Sequence, residues 1–280
     1  MKLILGTAQL CRSYGIGNRV PAPNSINQAV DFLLKAQKLG FDAIDTASVY
    51  GDAEKAIGIA GVKLEVHTKL DPRLEVLESI EKSLKLLNRD HLDLIYIHDS
   101  QVILYPDDKT LSTLVTQIGG TVKRIGISVY SMSEYLAAVA DPRIDVIQVP
   151  YNVFDQRFRL TSPMTENSHN PDVFIRSVLL QGLLLLNPMN YPVKLRNLVP
   201  NGLAFLEVLG RYNVAPLEAI IGFARNNKKF TGLIVGINSM NDLTEIMEIY
   251  GSVELDPTFI KELEGLAVED NSLTDPRNWD

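Results

Sequence analysis

Eight short apolar segments recur along this 280-residue chain, and amphipathic segments separate them. Several of the apolar segments are continuous rather than alternating, as expected for parallel strands that are covered on both faces. Strands that alternate with helices close naturally into a barrel, because right-handed crossovers place every helix on the outside. The sequence therefore predicts an α/β fold, a (β/α)8 TIM barrel that occupies residues 1–280 as a single domain. The predicted strands are residues 3–5, 41–44, 64–68, 92–97, 124–128, 146–149, 173–179 and 232–235.

The segments between the strands carry signals for the beginning and end of helices. Ser25 and Gln28 have the spacing of a capping box, and Gly40 follows that predicted helix as its C-cap. Ser131 is a second predicted N-cap, and Pro216 is placed to begin a later helix. A further helix is predicted to begin at Asp71-Pro72 and to bury Leu77, Ile80, Leu84 and Leu87.

The charge balance and the single cysteine limit the classes of protein to which the chain can belong. A net charge of −7, with no basic patch in the sequence, argues against a nucleic-acid partner. No stretch is long and apolar enough to cross a bilayer, and Gly6 comes too early for a signal peptide. Cys11 is the one cysteine, which excludes an internal disulfide and fits a reducing compartment. We expect a cytoplasmic enzyme with no membrane partner, either a monomer or a weak homo-oligomer.

Four polar residues, Asp45, Tyr50, Lys69 and His98, stand at or just beyond the ends of successive predicted strands. A free tyrosine has a pKa of roughly 10, so at neutral pH it releases its proton with difficulty. An ammonium beside the phenol lowers that pKa, and a carboxylate keeps a buried ammonium charged. The histidine can orient a carbonyl group or pass a proton. Because the carboxyl ends of barrel strands share one face, we expect the four side chains to converge there as a catalytic site.

The motifs that carry these residues resemble those of the aldo-keto reductase superfamily. The motifs are Asp45-Thr46-Ala47 with Tyr50-Gly51, Thr68-Lys69 and Ile97-His98. The resemblance extends over nearly the whole chain. It implies an oxidoreductase that moves a hydride between a nicotinamide cofactor, NADPH (NADP) or NADH (NAD), and a small-molecule carbonyl substrate, with Tyr50 as the general acid. It implies no metal, and none of the four histidines belongs to a ligand cluster.

The same resemblance implies a set of cofactor-binding residues near the strand ends. Ser128 and Gln148 match positions that bind the nicotinamide carboxamide, and Arg176 stands where many members stack a tyrosine on the nicotinamide ring. Thr7 would lie near the nicotinamide ribose, and Asn152 would line the substrate pocket. The remaining implied cofactor-binding residues are Ser177, Gln181, Gly182, Gly236, Asn238 and Ser239.

The end of the predicted eighth strand departs from the family pattern. Family members often hold the 2′-phosphate of NADPH with a lysine and an arginine, and Gly236 and Asp242 occupy those positions here. A helix N-terminus headed by Ser239 can bind a phosphate, but an aspartate near it would repel one. NADH is therefore left open beside NADPH. Lys228 and Lys229 lie upstream and are the cations that could compensate.

Two other functions stay open from the sequence. One is a nicotinamide-binding regulatory protein with little turnover, which the complete set of four polar residues disfavours. The other is a barrel lyase or isomerase in which Lys69 forms a Schiff base. The short chain and residues 6–9 look most like small bacterial reductases associated with sugar or nucleotide-sugar metabolism. The pocket rim is expected from the loops after the fourth and seventh strands and from the C-terminal segment with Trp279.

Overall fold

A closed barrel of parallel strands forms the centre of the protein, as the alternating pattern predicts. The computed structural model describes residues 1–11, 14–16, 23–105, 108–159 and 169–279. Each strand pairs with its neighbour in sequence, and the last strand pairs with the first to close the barrel. The strands are β1 (Lys2–Gly6), β2 (Ala43–Asp45), β3 (Glu65–Lys69), β4 (Leu94–Ile97), β5 (Ile125–Ser128), β6 (Val146–Pro150), β7 (Asp172–Arg176) and β8 (Gly232–Gly236). The predicted (β/α)8 architecture is confirmed.

Helices surround the barrel and bury its outer surface. The α-helices are α1 (Ile26–Leu39), α2 (Ala53–Ala60), α3 (Val76–Leu87), α4 (Thr110–Val115), α5 (Met132–Ala140), α6 (Val199–Tyr212), α7 (Pro216–Asn226), α8 (Met240–Ser252), α9 (Pro257–Glu264) and α10 (Asn271–Thr274). Short 3₁₀ helices cover Ser100–Leu104, Leu180–Leu185, Pro188–Asn190, Val193–Leu198 and Pro276–Asn278. Among the residues described, no helix is long and apolar enough to span a membrane.

Most of the predicted helix ends are present. The Ser25 hydroxyl accepts a hydrogen bond from the Gln28 amide, although the Gln28 side chain bonds the backbone of Asn24 rather than that of Ser25. Gly40 ends α1 at a φ of 94°, a left-handed conformation that glycine adopts without strain. The Ser131 capping box before α5 is complete, and Pro216 is the first residue of α7.

Two predicted boundaries are wrong by three or more residues, and other strand ends differ by one or two. Helix α3 begins at Val76 rather than at Asp71-Pro72, and the Asp71 carboxylate instead binds side chains that include Lys82. Leu77, predicted to be buried, lies in the first turn of α3 and is 47% exposed. Strand β7 ends at Arg176 rather than at residue 179, since Ser177 has a φ of 58° that no β-strand can accommodate.

Inward-facing side chains of the strands fill the barrel interior, and their polarity changes along the barrel axis. At the N-terminal end, Lys2 and Arg124 form ion pairs with Glu65, and Arg124 also pairs with Asp172. The middle layer is largely apolar and consists of Ile4, Ala43, Leu94, Tyr96, Val146, Phe174 and Ile234. The interior is polar at the C-terminal ends of the strands.

Gly126 on β5 makes room for the largest side chain of the middle layer. A Cβ at this position would lie 2.6 Å from the ring of Tyr96 and 3.0 Å from the Val146 carbonyl oxygen. Neither the Tyr96 ring nor the strand backbone at Val146 can move easily inside a closed barrel. A side chain at Gly126 is therefore incompatible with the observed packing.

We expect Gly126→Ala to lower the free energy of unfolding by about 1–3 kcal/mol through overpacking. The matched control is Gly210→Ala in α6, where a Cβ meets no atom within 4 Å. That change should instead raise the free energy of unfolding by about 0.5–1 kcal/mol through helix propensity. Urea unfolding of both variants checks the pair, and a neutral Gly126→Ala would show that the ring of Tyr96 can move aside.

Candidate functional site

The strand ends bring the four predicted catalytic residues to one end of the barrel. Asp45 is the last residue of β2, Lys69 is the last residue of β3, and His98 directly follows β4. Tyr50 lies on a turn between β2 and α2, where its backbone amide donates to the Ala47 carbonyl at 2.9 Å. Parallel strands have their carboxyl ends at the same face, which is why residues distant in sequence meet here.

A buried ion pair lies at the centre of the site. The Lys69 ammonium donates to Asp45 Oδ1 at 2.7 Å and to the Thr46 carbonyl at 2.8 Å. Lys69 and Asp45 are 3% and 5% exposed, respectively. Burial acts to lower the pKa of Lys69, but the charges of Asp45 and Tyr50 and the hydrogen bond to Asp45 more than offset it, so the pKa is raised. Lys69 is therefore a cation at neutral pH, and its Nζ lies 5.2 Å from the centre of the Tyr50 ring.

His98 is a neutral imidazole at the edge of this pair. Burial lowers its pKa, and the positive charges of Lys69 and Arg176 lower it further. Within the described residues its Nδ1 atom has no hydrogen-bond partner. A neutral imidazole can donate from one ring nitrogen and accept at the other. His98 can therefore orient a polar group of a ligand without bringing a third positive charge to the site.

A hydrogen-bonded chain connects the ion pair to the opposite side of the barrel. Gln148 Nε2 on β6 donates to Asp45 Oδ2 at 2.8 Å. The Ser128 hydroxyl on β5 lies 3.4 Å from Gln148 Oε1, and Arg176 Nε on β7 donates to that hydroxyl at 3.3 Å. Side chains from five strands thus form one polar layer above the apolar middle layer.

Arg176 packs against an aromatic residue that the sequence analysis did not identify. Its guanidinium carbon lies 4.1 Å from the centre of the Tyr130 ring, and that of Arg277 lies 3.5 Å from the same centre. Arg277 is paired with Asp275. No carboxylate of the described residues lies within ion-pair distance of Arg176. Its positive charge is consequently not compensated by a direct partner.

A cavity of about 510 Å³ opens over this polar layer. Its wall contains Asp45, Tyr50 and Arg176 from the strand ends and their loops, and Asp242 and Glu245 from α8. Most of the predicted cofactor-binding residues line it, namely Thr7, Gln148, Arg176, Ser177, Gln181, Gly182, Gly236 and Asn238. A cavity of this volume with several polar groups in its wall suits a small-molecule ligand.

Several predicted residues lie outside the cavity wall. Ser128 contacts Gln148, and Ser239 caps α8 by accepting a hydrogen bond from the Asp242 amide. The Asn152 side chain is buried and binds backbone groups, among them the carbonyl of Ser177. Trp279 is buried too, with its indole N–H bonded to the Leu273 carbonyl.

The two lysines that could compensate for the negative charge of Asp242 do not lie near the cavity. Lys228 and Lys229 lie between the end of α7 and the start of β8. The segment before a barrel strand is at the N-terminal end of the barrel, opposite the cavity. Neither lysine lines the cavity. They therefore cannot serve a ligand bound beside α8.

Glu54 is a further buried acid beneath the site. It lies on the inner face of α2, and the Thr68 hydroxyl donates to its Oε1 at 2.6 Å. Burial raises the pKa of Glu54, which favours the protonated form. An acidic residue on the buried face of α2 was the sequence signal that could have identified Glu54. Glu54 anchors the strand end that carries Lys69.

The described residues contain no group of three or more histidine, cysteine, aspartate or glutamate side chains that could hold a metal ion. The polar groups that meet at the strand ends are an ammonium, a phenol, an imidazole and amide groups, and of these the phenol of Tyr50 and the amide of Gln148 line the cavity. These groups can polarise and protonate an oxygen atom of a ligand. The polar backbone and side chains along the rest of the cavity can hold a long, partly charged molecule.

Comparison with known proteins identifies relatives over nearly the whole chain. The sequence model of the aldo/keto reductase family matches residues 2–268. Aldo-keto reductase YhdN of Bacillus subtilis (strain 168) is 26% identical over 165 residues, which cover 51% of this chain and 50% of that protein. The chain spans half the length, or less, of the first curated relatives it matches.

Two further matches extend along almost the full length. The NAD/NADP-dependent indole-3-acetaldehyde reductase of Schizosaccharomyces pombe is 23% identical over 290 residues, covering 96% of this chain and 95% of that protein. The holo form of aldo-keto reductase AKR11C1 from Bacillus halodurans superposes with a TM-score of 0.76 at 19% identity, covering 96% and 94% of the two chains. The structural match shows that the barrel is shared.

The buried ion pair predicts how stability responds when one partner is removed. We expect Lys69→Met to lower the free energy of unfolding by about 3–5 kcal/mol at neutral pH, because Asp45 is left buried and uncompensated. Combining it with Asp45→Asn should recover part of that loss. Denaturant unfolding of the two single variants and the double variant measures the coupling, and strictly additive losses would show that the two side chains do not stabilise each other.

Proposed function

Since the chain belongs to the aldo/keto reductase family and is an NAD(P)H-dependent oxidoreductase, we propose that it reduces a small carbonyl compound with Tyr50 as the general acid. The observation that carries this proposal is the position of Lys69, which is held by Asp45 with its ammonium beside the Tyr50 ring. A cation in this position stabilises the phenolate and brings the pKa of a phenol toward the working pH.

The proposed roles of the four side chains follow from this geometry. The nicotinamide cofactor supplies the hydride when bound. Tyr50 donates a proton to the carbonyl oxygen as negative charge develops there, and Lys69 stabilises the phenolate that remains. Asp45 keeps Lys69 charged in a site where an unpaired ammonium would lose its proton. His98, neutral at pH 7, orients the carbonyl oxygen toward the phenol.

The residues along the cavity fit a dinucleotide. Thr7, Arg176 and Ser177 are placed to hold the nicotinamide end, beside Tyr50. Gln181 and Gly182 follow in the loop after β7, and Gly236 and Asn238 follow β8. A Cβ at Gly236 would lie 3.2 Å from the Gln9 side chain, so glycine leaves space at this wall. Ser128 and Ser239 would act indirectly, through Arg176 and through the start of α8.

The substrate class that we propose is a sugar or nucleotide-sugar carbonyl in the aldehyde or ketone form. The support is the likeness of residues 6–9 to small bacterial reductases of sugar metabolism. Purified protein should be titrated with NADH and NADPH and then assayed with a carbonyl panel that includes aldoses and nucleotide sugars. Tight cofactor binding without turnover on any member of the panel would instead indicate a nicotinamide-binding regulatory protein. Covalent trapping of Lys69 by borohydride would indicate Schiff-base chemistry.

Tyr50→Phe should reduce turnover by about 10²–10⁴-fold while the Kd for cofactor stays nearly unchanged, because only the transferable proton is lost. Tyr14→Phe is the matched control, since it removes the hydroxyl of another tyrosine in the wall of the same cavity. Its effect on turnover should be much smaller. Steady-state kinetics and cofactor titrations measure both variants, and equal turnover in Tyr50→Phe and wild type would remove the phenol from the mechanism.

We further propose that NADH is the preferred cofactor. Asp242 and Glu245 line the same cavity as Gly236, and we place the adenosine ribose at this part of the wall, where it would meet two carboxylates. Carboxylates accept hydrogen bonds from ribose hydroxyl groups and repel a 2′-phosphate. Lys228 and Lys229 lie at the opposite end of the barrel and cannot offset this repulsion.

Asp242→Arg should move the ratio of NADPH to NADH affinity toward NADPH by about one to two decades, because a charge-assisted contact replaces a repulsion. The shift should be largest at low salt. Glu248→Arg is the control, because it makes the same charge change on α8 at an exposed residue outside the cavity wall. Fluorescence titrations with both cofactors provide the ratio. A strong preference of the wild type for NADPH would show that another residue binds the phosphate.

A further inference from the structure

Both oxygens of the Asp45 carboxylate are held by side chains from other strands. Lys69 of the adjacent strand β3 binds Oδ1 at 2.7 Å, and Gln148 of β6 binds Oδ2 at 2.8 Å. In the closed strand order β6 lies across the barrel from β2, so the second bond spans the mouth of the barrel. Gln148 and Asp45 contribute to the cavity wall but are only 0% and 5% exposed, so the bond is largely buried.

We propose that Gln148 is a positioning residue that acts through Asp45 to keep the Lys69 ammonium charged and fixed beside Tyr50. The inference rests on the proposed function, because it concerns the same acid. It differs from the role that the family resemblance implies for Gln148, which is direct contact with the nicotinamide carboxamide.

The donor chemistry at Asp45 supports this role. A carboxylate only accepts hydrogen bonds, so the amide nitrogen of Gln148 must face it and the amide oxygen must face away. Ser128 lies on the side of that oxygen at 3.4 Å and is itself bound by Arg176. The orientation of the Gln148 amide is thus determined from both ends.

The energetic consequence is large because both side chains are buried. A buried carboxylate oxygen without a donor carries a desolvation penalty, which would weaken the hold of Asp45 on the Lys69 ammonium. An ammonium that is held less firmly would stabilise a Tyr50 phenolate less well. Gln148 consequently affects the acid without touching it.

The test compares Gln148→Met with the wild type and repeats the substitution in an Asp45→Asn background. We expect Gln148→Met to lower kcat by about 10- to 100-fold, as for the loss of a hydrogen bond to a charged group, with little change in the Kd for cofactor. In the Asp45→Asn background the same substitution should cost little more, since its target is already altered. The same four proteins are also compared by denaturant unfolding, where the two losses should likewise be less than additive.

A second variant provides a pH dependence of kcat that general structural damage would not produce. The carboxyl introduced by Gln148→Glu donates a hydrogen bond to Asp45 when protonated and repels it when ionised. The kcat of Gln148→Glu relative to wild type should therefore be highest at low pH and fall as the pH rises. Gln156→Met is the control, because Gln156 is a buried glutamine whose amide binds the Val153 and Leu263 carbonyls away from this site. Its pH profile should match that of the wild type.

The outcomes separate the possible roles of Gln148. A raised Kd for cofactor with an equal cost in both backgrounds would show direct cofactor binding and overturn the inference. A pH-independent deficit in Gln148→Glu would overturn it as well. If the wild type binds cofactor but reduces no carbonyl at any pH, the proposed function fails first, and the inference fails with it. Less-than-additive losses of activity, with the expected pH trend, support the positioning role.

Discussion

The ion pair between Lys69 and Asp45 is the interaction on which the rest of the site depends. Taking both charges out of water is costly, and replacing such a pair by apolar residues is often neutral or stabilising. Its presence at the mouth of the barrel is therefore not explained by stability. The proposed function would explain it, because an ammonium beside the ring of Tyr50 can stabilise a phenolate. The bonds to Thr46 and Gln148 offset part of the desolvation cost.

Barrel closure is what makes this arrangement possible. Adjacent strands bring Asp45 and Lys69 together, but only a closed sheet can place Gln148 of β6 opposite Asp45 of β2. The apolar middle layer supports the polar layer from below, and Gly126 provides the space that Tyr96 needs there. Beneath it, the ion pairs at the N-terminal end close the interior. A packed floor of this kind fixes the position of the Lys69 ammonium, which a loop alone would not do.

Local signals in the sequence were sufficient for the architecture and for the placement of the four polar residues at strand ends. Apolar runs fix which segments become strands, and in a parallel barrel every strand end faces the same way, so the meeting of Asp45 and Lys69 could be predicted. The start of α3 could not, because Asp71-Pro72 has the local chemistry of a helix start, while the Asp71 carboxylate binds the side chains of Arg73 and Lys82 and caps no helix. The end of β7 failed for a related reason, since the left-handed backbone at Ser177 is imposed by the following loop.

Contacts across the barrel could not be predicted from the sequence. The residues of the Gln148–Asp45 bond are 103 positions apart, and no periodicity links them. The packing of Tyr130 against both Arg176 and Arg277 joins β5, β7 and the C-terminal segment, which are equally distant in sequence. Glu245 was missed because it lies nearly one helical turn beyond Asp242, and only the course of α8 shows that both face the cavity.

The cavity wall carries charges of both signs on different elements, and this bears on how a dinucleotide would be oriented. Arg176 of β7 contributes a positive charge without a carboxylate partner among the described residues, whereas Asp242 and Glu245 of α8 contribute negative charges. Lys69 does not alter this balance, because Asp45 compensates it. Anionic groups of a ligand are therefore drawn away from α8, and neutral hydroxyl groups are favoured there. Both cofactors contain the pyrophosphate, so its interactions do not distinguish them. The negative charges of α8 would oppose only the additional phosphate on the ribose of NADPH. Cofactor choice would then follow from side chains that take no part in the proton transfer.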